Sequence, residues 1–288
     1  MRAVYKHELS SHFTGLSGYV FGAFLLLFTG IYMLSYNLVQ YYTNFEAVLG
    51  GMSFIFLVLI PILTMRVLAE ERRQKTDQLL YSLPISMTDV VLGKFFAMLT
   101  VFAVPMAVIC VYPLILSAYG PVHMPMAYSA IGGFFLLGAA LIAMGTFVSS
   151  VTENQAVSAG LCFVVMLINY FIADVANLIS ASAAASLGAV TVVLLLVAVI
   201  VYLFTKNATV ALTTAIVAEA AALVVYMVKP ALYEGLMPNV LKALSLYQRF
   251  YALLNGILDL STIVYYVSII GAFLYLSVQS MEKRRWSE

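Results

Sequence analysis

RVLAEERRQKTDQLLYSLPISMTDVVLGK, residues 66–94, is a dense charged segment set between two long apolar runs, Gly50–Leu68 and Val90–Tyr112. Only 9% of the 288 residues are charged, 14 basic and 13 acidic, so a stretch this polar needs water or a protein surface. Apolar residues make up 64% of the chain and the mean hydropathy is +1.02, which leaves too little polar surface to cover a soluble globule. Inside hydrocarbon every backbone group must be bonded internally, and a helix of about 20 apolar residues crosses about 30 Å. The composition therefore predicts an all-α, polytopic membrane helix bundle.

Outward from that segment the apolar runs read as eight spans: Gly18–Ser35, Gly50–Leu68, Val90–Tyr112, Ala127–Val148, Ala156–Ala173, Gly188–Phe204, Ala208–Val228 and Leu260–Val278. The sixth and seventh are separated only by Thr205, Lys206 and Asn207, which predicts a tight transmembrane hairpin over 188–228. With the N-terminus inside, the cytoplasmic side collects Arg2, Lys6, Arg66, Arg72, Arg73, Lys75, Lys94, Lys206, Lys283, Arg284 and Arg285, against Lys229, Lys242 and Arg249 outside. That bias follows the positive-inside rule, and an even number of spans returns the basic C-terminus to the same side. The expectation is a single transmembrane domain over 1–288 with both termini cytoplasmic, in a bacterial plasma (inner) membrane.

Local signals refine this frame. Glu71 and Lys75 stand in the favourable i, i+4 order for a helical ion pair, and Leu79, Leu80 and Leu83 group on one flank of a helix ended by Pro84. An ordinary solvated loop joining two spans is the alternative. Ser86 and Asp89 form an S-x-x-D cap that starts the third span. The N-terminus runs on past signal-peptide length, so no cleavable signal is expected. Tyr5, Leu9, Phe13 and Leu16 would share one face of an interfacial helix over 1–16, the alternative being a flexible lead-in. Outside, Val240, Leu241, Leu244 and Leu246 alternate with Lys242 and Arg249, an extracytoplasmic amphipathic segment over 239–256.

The string AEERRQKTDQLLYSLPIS followed by DVVLGKF resembles the signature of type-2 ABC exporter permeases, in which an acidic pair, a basic pair, G-T, L-L and P-I precede a G-K at the next span. Glu70, Glu71, Arg72, Arg73, Thr76, Leu79, Leu80, Pro84, Ile85, Gly93 and Lys94 match. SSVTENQAV at 149–157 and RFYALLNGILDLSTIVYYVSII at 249–270 are similar to landmarks of the gliding-motility-type subgroup. The likeness covers about residues 1–175 and 245–286. Lys75 replaces the usual glycine before the threonine, Gln78 replaces an acidic residue, and the hairpin 188–228 is added to a six-span plan. The resemblance implies that residues 69–89 couple to a separate nucleotide-binding ATPase subunit, with Leu79, Leu80 and Leu83 buried against it and Glu70 to Arg73 orienting it. It also implies a second permease subunit, the same chain or another, beside this one.

No G-x-x-x-x-G-K-[ST] phosphate loop is present, since Gly93 and Lys94 lack the earlier glycine and the following hydroxyl. The chain is expected to be no enzyme by itself and to hold no cofactor, with ATP and Mg in the partner. Net charge +1 offers no nucleic-acid footprint, and His7, His12 and His123 have no metal-ligand spacing. Cys110 and Cys162 read as small buried hydrophobes. Pro61, Pro105 and Pro113 are candidate kinks, and Tyr41, Tyr42 and Tyr112 an interfacial aromatic belt. Membrane lipid is the remaining expected partner. An ATP-driven machine acting on an extracytoplasmic protein without translocation is the alternative function; an intramembrane enzyme lacks a second acid or a nucleophile-base pair.

Glu219, in TAIVAEAAALVV, is the acidic residue plainly at bilayer depth, where an ionised carboxylate is costly unless paired, protonated or water-lined. It belongs either to a substrate or proton path or, protonated, to a hydrogen bond across an interface of Ala218, Ala220 and Ala221. Transport by Glu219→Gln decides: retained activity leaves only the structural role, whereas lost activity in a normally assembled protein establishes the path.

Overall fold

The computed structural model describes residues 1–75, 85–256 and 259–285. Every regular element among them is helical. The helices are α1 (Arg2–Thr14), α2 (Ser17–Met33), α3 (Phe45–Met52), α4 (Phe56–Thr64), α5 (Ala69–Arg73), α6 (Met87–Ile109), α7 (Tyr112–Ser117), α8 (Met124–Val151), α9 (Gln155–Leu178), α10 (Ala183–Thr205), α11 (Ala208–Val228), α12 (Leu236–Leu244), α13 (Leu246–Leu254) and α14 (Leu260–Arg285). Two compact units divide the chain: 1–168 with 249–288, and 169–248.

Among the described residues, six stretches are long and apolar enough to cross a membrane: Ser17–Leu38, Phe45–Arg73, Met87–Ser117, Met124–Val151, Gln155–Leu178 and Leu260–Arg284. They coincide with six of the eight runs read from the sequence, and the other two runs fall on the hairpin helices α10 and α11, 23 and 21 residues long. Leu212–Val228 and Pro230–Leu244 pass the same test as a pair, across a bend of 112°. The bend follows from Pro230, which has no N–H with which to continue a helix.

In the first unit α8 is the central helix, the most enclosed of the six, with α4, α6 and α14 packed along it. Aromatic rings knit this core: Phe56 lies 4.3 Å from Phe134 between ring centroids, and Phe102 stacks on Phe135 at 5.5 Å. Such pairs add to the burial of their large apolar area. Glycine sets how closely the backbones approach. A Cβ on Gly145 of α8 would lie 2.4 Å from Thr64 Oγ1 and 2.9 Å from Thr64 Cβ on α4, so these two helices touch through a gap that admits only hydrogen. At the ends of the spans, Ser86 caps α6 as its sequence predicts, its hydroxyl accepting from the Asp89 N–H at 3.1 Å, and Pro113 sits in the first turn of α7, where a missing N–H costs little. Both cysteines are free, Cys162 buried and Cys110 half-buried.

In the second unit α10 and α11 pack on each other as the hairpin that Thr205, Lys206 and Asn207 predict. Lys206 takes the left-handed conformation that ends α10, and Asn207 Oδ1 accepts from the Thr209 N–H at 3.1 Å to start α11. The segment expected over 239–256 is two helices, α12 and α13, broken at Ser245. Asn169 bridges the break: its Nδ2 donates to the Leu244 carbonyl at 3.0 Å and its Oδ1 accepts from the Leu246 N–H at 3.1 Å. Those are backbone groups that a helix end leaves without partners.

Gly145→Ala is expected to destabilise the protein by about 1–3 kcal/mol, the usual cost of overpacking a filled core. Gly132→Ala, where an added Cβ meets nothing within 4 Å, is the control and should melt as the parent does. Thermal unfolding of the purified chain in detergent checks both.

Candidate functional site: the anchor of the charged segment

The charged stretch 66–94 leaves the membrane-spanning helix α4 through a turn and enters α5. Two side chains from other helices hold it there. Ser149 of α8 is fully buried, and its hydroxyl accepts from both the Leu68 and Ala69 N–H groups at 3.1 Å, which satisfies the first donors of α5 from across the bundle. Lys94 of α6, 2% exposed, places its ammonium 2.7 Å from a Glu71 carboxylate oxygen and 3.2 Å from Glu8 of α1. A buried ammonium is tolerable when close counter-charges and hydrogen bonds replace its hydration, and here two carboxylates do so. Burial and pairing thus lock α1, α5 and α6 to one another.

The sequence permits this approach at one adjacent position. A Cβ on Gly93 would lie 3.1 Å from Val4 and 3.2 Å from the Met1 carbonyl, tight enough that a side chain would push α1 off α6. The contact continues upward through the Tyr5 and Thr100 hydroxyls, 3.0 Å apart. Residues 1–16 thus hold a helix, and its packed face is Val4, Tyr5, Glu8, Leu9, His12 and Phe13, with Leu16 outside it at 78% exposure. Burial pushes the His12 imidazole below the ordinary histidine value, with Lys94 and Arg66 adding to the effect and Glu8 opposing it.

Of the residues read as orienting the segment, Glu70 is half-exposed and accepts from the Gln74 side chain at 3.3 Å, Arg72 is buried and Arg73 exposed. The Glu71–Lys75 helical pair is not formed. The helix stops at Arg73, Lys75 turns to a left-handed backbone with φ of 56°, and Glu71 spends its charge on Lys94 instead. Thr76, Leu79, Leu80, Leu83 and Pro84 lie outside the described residues. Just past α8, Glu153 pairs with Arg284 at the end of α14, and that guanidinium holds its carboxyl below the usual range; Ser280 donates to the Ser150 carbonyl at 3.0 Å beside it. In the second unit Glu219 accepts from the Thr191 hydroxyl at 2.7 Å, a bond between the two hairpin helices. Among the described residues no three His, Cys, Asp or Glu side chains come together in a way that could hold a metal ion.

Sequence reasoning passed over Glu8 and Ser149. The signal for Glu8 was its place one helical turn from Tyr5 and His12; Ser149 stood in SSVTENQAV with nothing local to show its partner.

A charged segment pinned between spans of an all-helical, apolar bundle places the chain among polytopic membrane proteins. The family model of the ABC-2 family transporter proteins matches residues 32–188, more than half of the chain. The chain belongs to that family: it is a multi-pass membrane protein, a permease component of an ABC transporter. Permeases of this family are normally non-catalytic and work with an ATPase in a separate subunit. No curated protein and no solved structure matches it.

Lys94→Met is expected to cost about 3–5 kcal/mol, because it strands two carboxylates in a poorly hydrated site. The Glu8→Gln, Glu71→Gln, Lys94→Met combination should recover most of that loss, since it removes all three charges. Melting temperatures of the two proteins in the same detergent compare them; equal losses would mean that the charge cluster is not what Lys94 serves.

Proposed function

We propose that this chain is the permease of an ATP-driven exporter of the gliding-motility type, sited in a bacterial inner membrane with both termini cytoplasmic. A nucleotide-binding subunit docks on the coupling segment 69–89, and a second permease chain completes the pathway. The observation that carries the proposal is the anchoring of α5 by Ser149, Glu8 and Lys94. A segment tied to α1, α6 and α8 passes movement of a docked subunit to several helices at once, whereas a free loop would absorb it. ATP binding in the partner then biases the bundle between two arrangements, which requires that the two arrangements differ in how they hold the docked subunit.

Glu70 and Arg73, on the accessible side of α5, orient the partner, and Thr76, Leu79, Leu80, Leu83 and Pro84 form the surface it buries. An even number of spans keeps the basic N- and C-terminal ends on one side, in agreement with the charge bias. Glu219 ties the hairpin together in this reading.

Burial of a leucine contributes about 1.5–3 kcal/mol and each 1.4 kcal/mol is a factor of ten, so Leu79→Asp, Leu80→Asp and Leu83→Asp together should weaken partner binding by roughly a thousandfold or more. Affinity purification of the tagged chain, with identification of the co-eluting subunit, reads this out. Retention of an ATPase subunit by the triple variant would sink the docking surface; a parent chain that never brings one down would sink the transporter assignment.

A further inference from the structure

A cavity of about 520 Å³ opens between α1, α2, α4 and the turn into α5, within the roughly 300–1,000 Å³ of small-molecule sites. Its chemistry is graded along its length. One wall is apolar and belongs to the spanning helices α2 and α4, where Phe24 and Ile62 remain 47% and 51% exposed. The other end is polar and belongs to α1, the α4–α5 turn and the start of α5, where His12, Arg66, Glu8 and Glu70 line it.

Two of those groups hold donors that meet no acceptor among the described residues. The His12 side chain is nine-tenths buried, its Nδ1 lies 3.1 Å from the Ser17 hydroxyl, and its Nε2 is enclosed without any hydrogen bond. With Ser17 donating to Nδ1, the Nε2 carries the proton and is a donor in need of an acceptor; a buried polar group left in that state is costly and rare. Arg66, exposed on the turn, forms no ion pair among the described residues. The nearby Glu8 carboxylate is already engaged by Lys94.

We propose that this cavity binds one phospholipid, its phosphate held by the Arg66 guanidinium and the His12 Nε2–H and an acyl chain lying against Phe24 and Ile62. The polarity of the cavity runs the way a lipid's does: the apolar wall is part of two spanning helices and the polar end lies where they leave the hydrocarbon. A phosphate supplies the acceptor that His12 lacks and the anion that Arg66 lacks, and Arg66 meets it with a planar fork of donors. The headgroup would rest beside Glu8, so the lipid abuts the ion cluster that fixes α5.

The test is native mass spectrometry of the full-length chain released from nanodiscs of phosphatidylethanolamine and phosphatidylglycerol, compared with Arg66→Gln and with Val20→Trp, which fills the cavity from α2. The parent should retain one phospholipid per chain, and each variant should lose at least about fivefold of that occupancy at an unchanged melting temperature in detergent. Equal retention by the parent and both variants overturns the proposal. Two probes resolve the chemistry: protection of the site by glycerol phosphate alone, or by dodecanol alone, as strong as that by the lipid would overturn it by making the chain or the phosphate irrelevant. Binding is read on this chain without its partner, so a failure here leaves the docking surface standing, and the reverse holds as well.

Discussion

The ammonium of Lys94 is the point on which the first unit depends. An unpaired charge at 2% exposure would be far too costly to keep, so wherever Lys94 goes two carboxylates must follow. One comes from residue 8 and one from residue 71, and their arrival fixes two segments that have little else to decide their position. The N-terminal helix has a modest apolar face, and α5 is five residues long, too short to be stable by itself. Gly93 makes room for the first and Ser149 receives the end of the second, but these are refinements of a docking that the charge cluster compels.

The spans were legible because they obey a rule that acts residue by residue: a run such as Ala127–Val148 can be nothing else in a chain this apolar. The turn at Lys206 and Asn207 and the cap at Ser86 were legible for the same reason, since each is made from side chains within three residues of the backbone they serve. What the sequence hid was long-range. Glu71 has Lys75 four residues away, and local reasoning pairs them; its actual partner lies 23 positions on, and Lys94's second partner 86 positions back. No periodicity reports such distances.

The hairpin shows the opposite economy. Its two helices pack on each other, and the acidic side chain of Glu219 finds a threonine hydroxyl 2.7 Å away across the contact. In hydrocarbon such a bond is worth modestly more than packing alone, about 1–2 kcal/mol in model helices, but it is directional. It fixes which faces of α10 and α11 meet, something that alanine and valine surfaces leave almost degenerate.

Asn169 joins α12 to α13 with the two ends of a single amide, the nitrogen toward a carbonyl and the oxygen toward an N–H. A primary amide serves one donor and one acceptor from two different atoms, and the two are not interchangeable. Aspartate has the same shape and length, yet it would set oxygen against oxygen at the Leu244 carbonyl unless it took up a proton there. The corner at Ser245 is thus written in the identity of one atom, and a change that alters no volume and no length would turn its clasp into a repulsion.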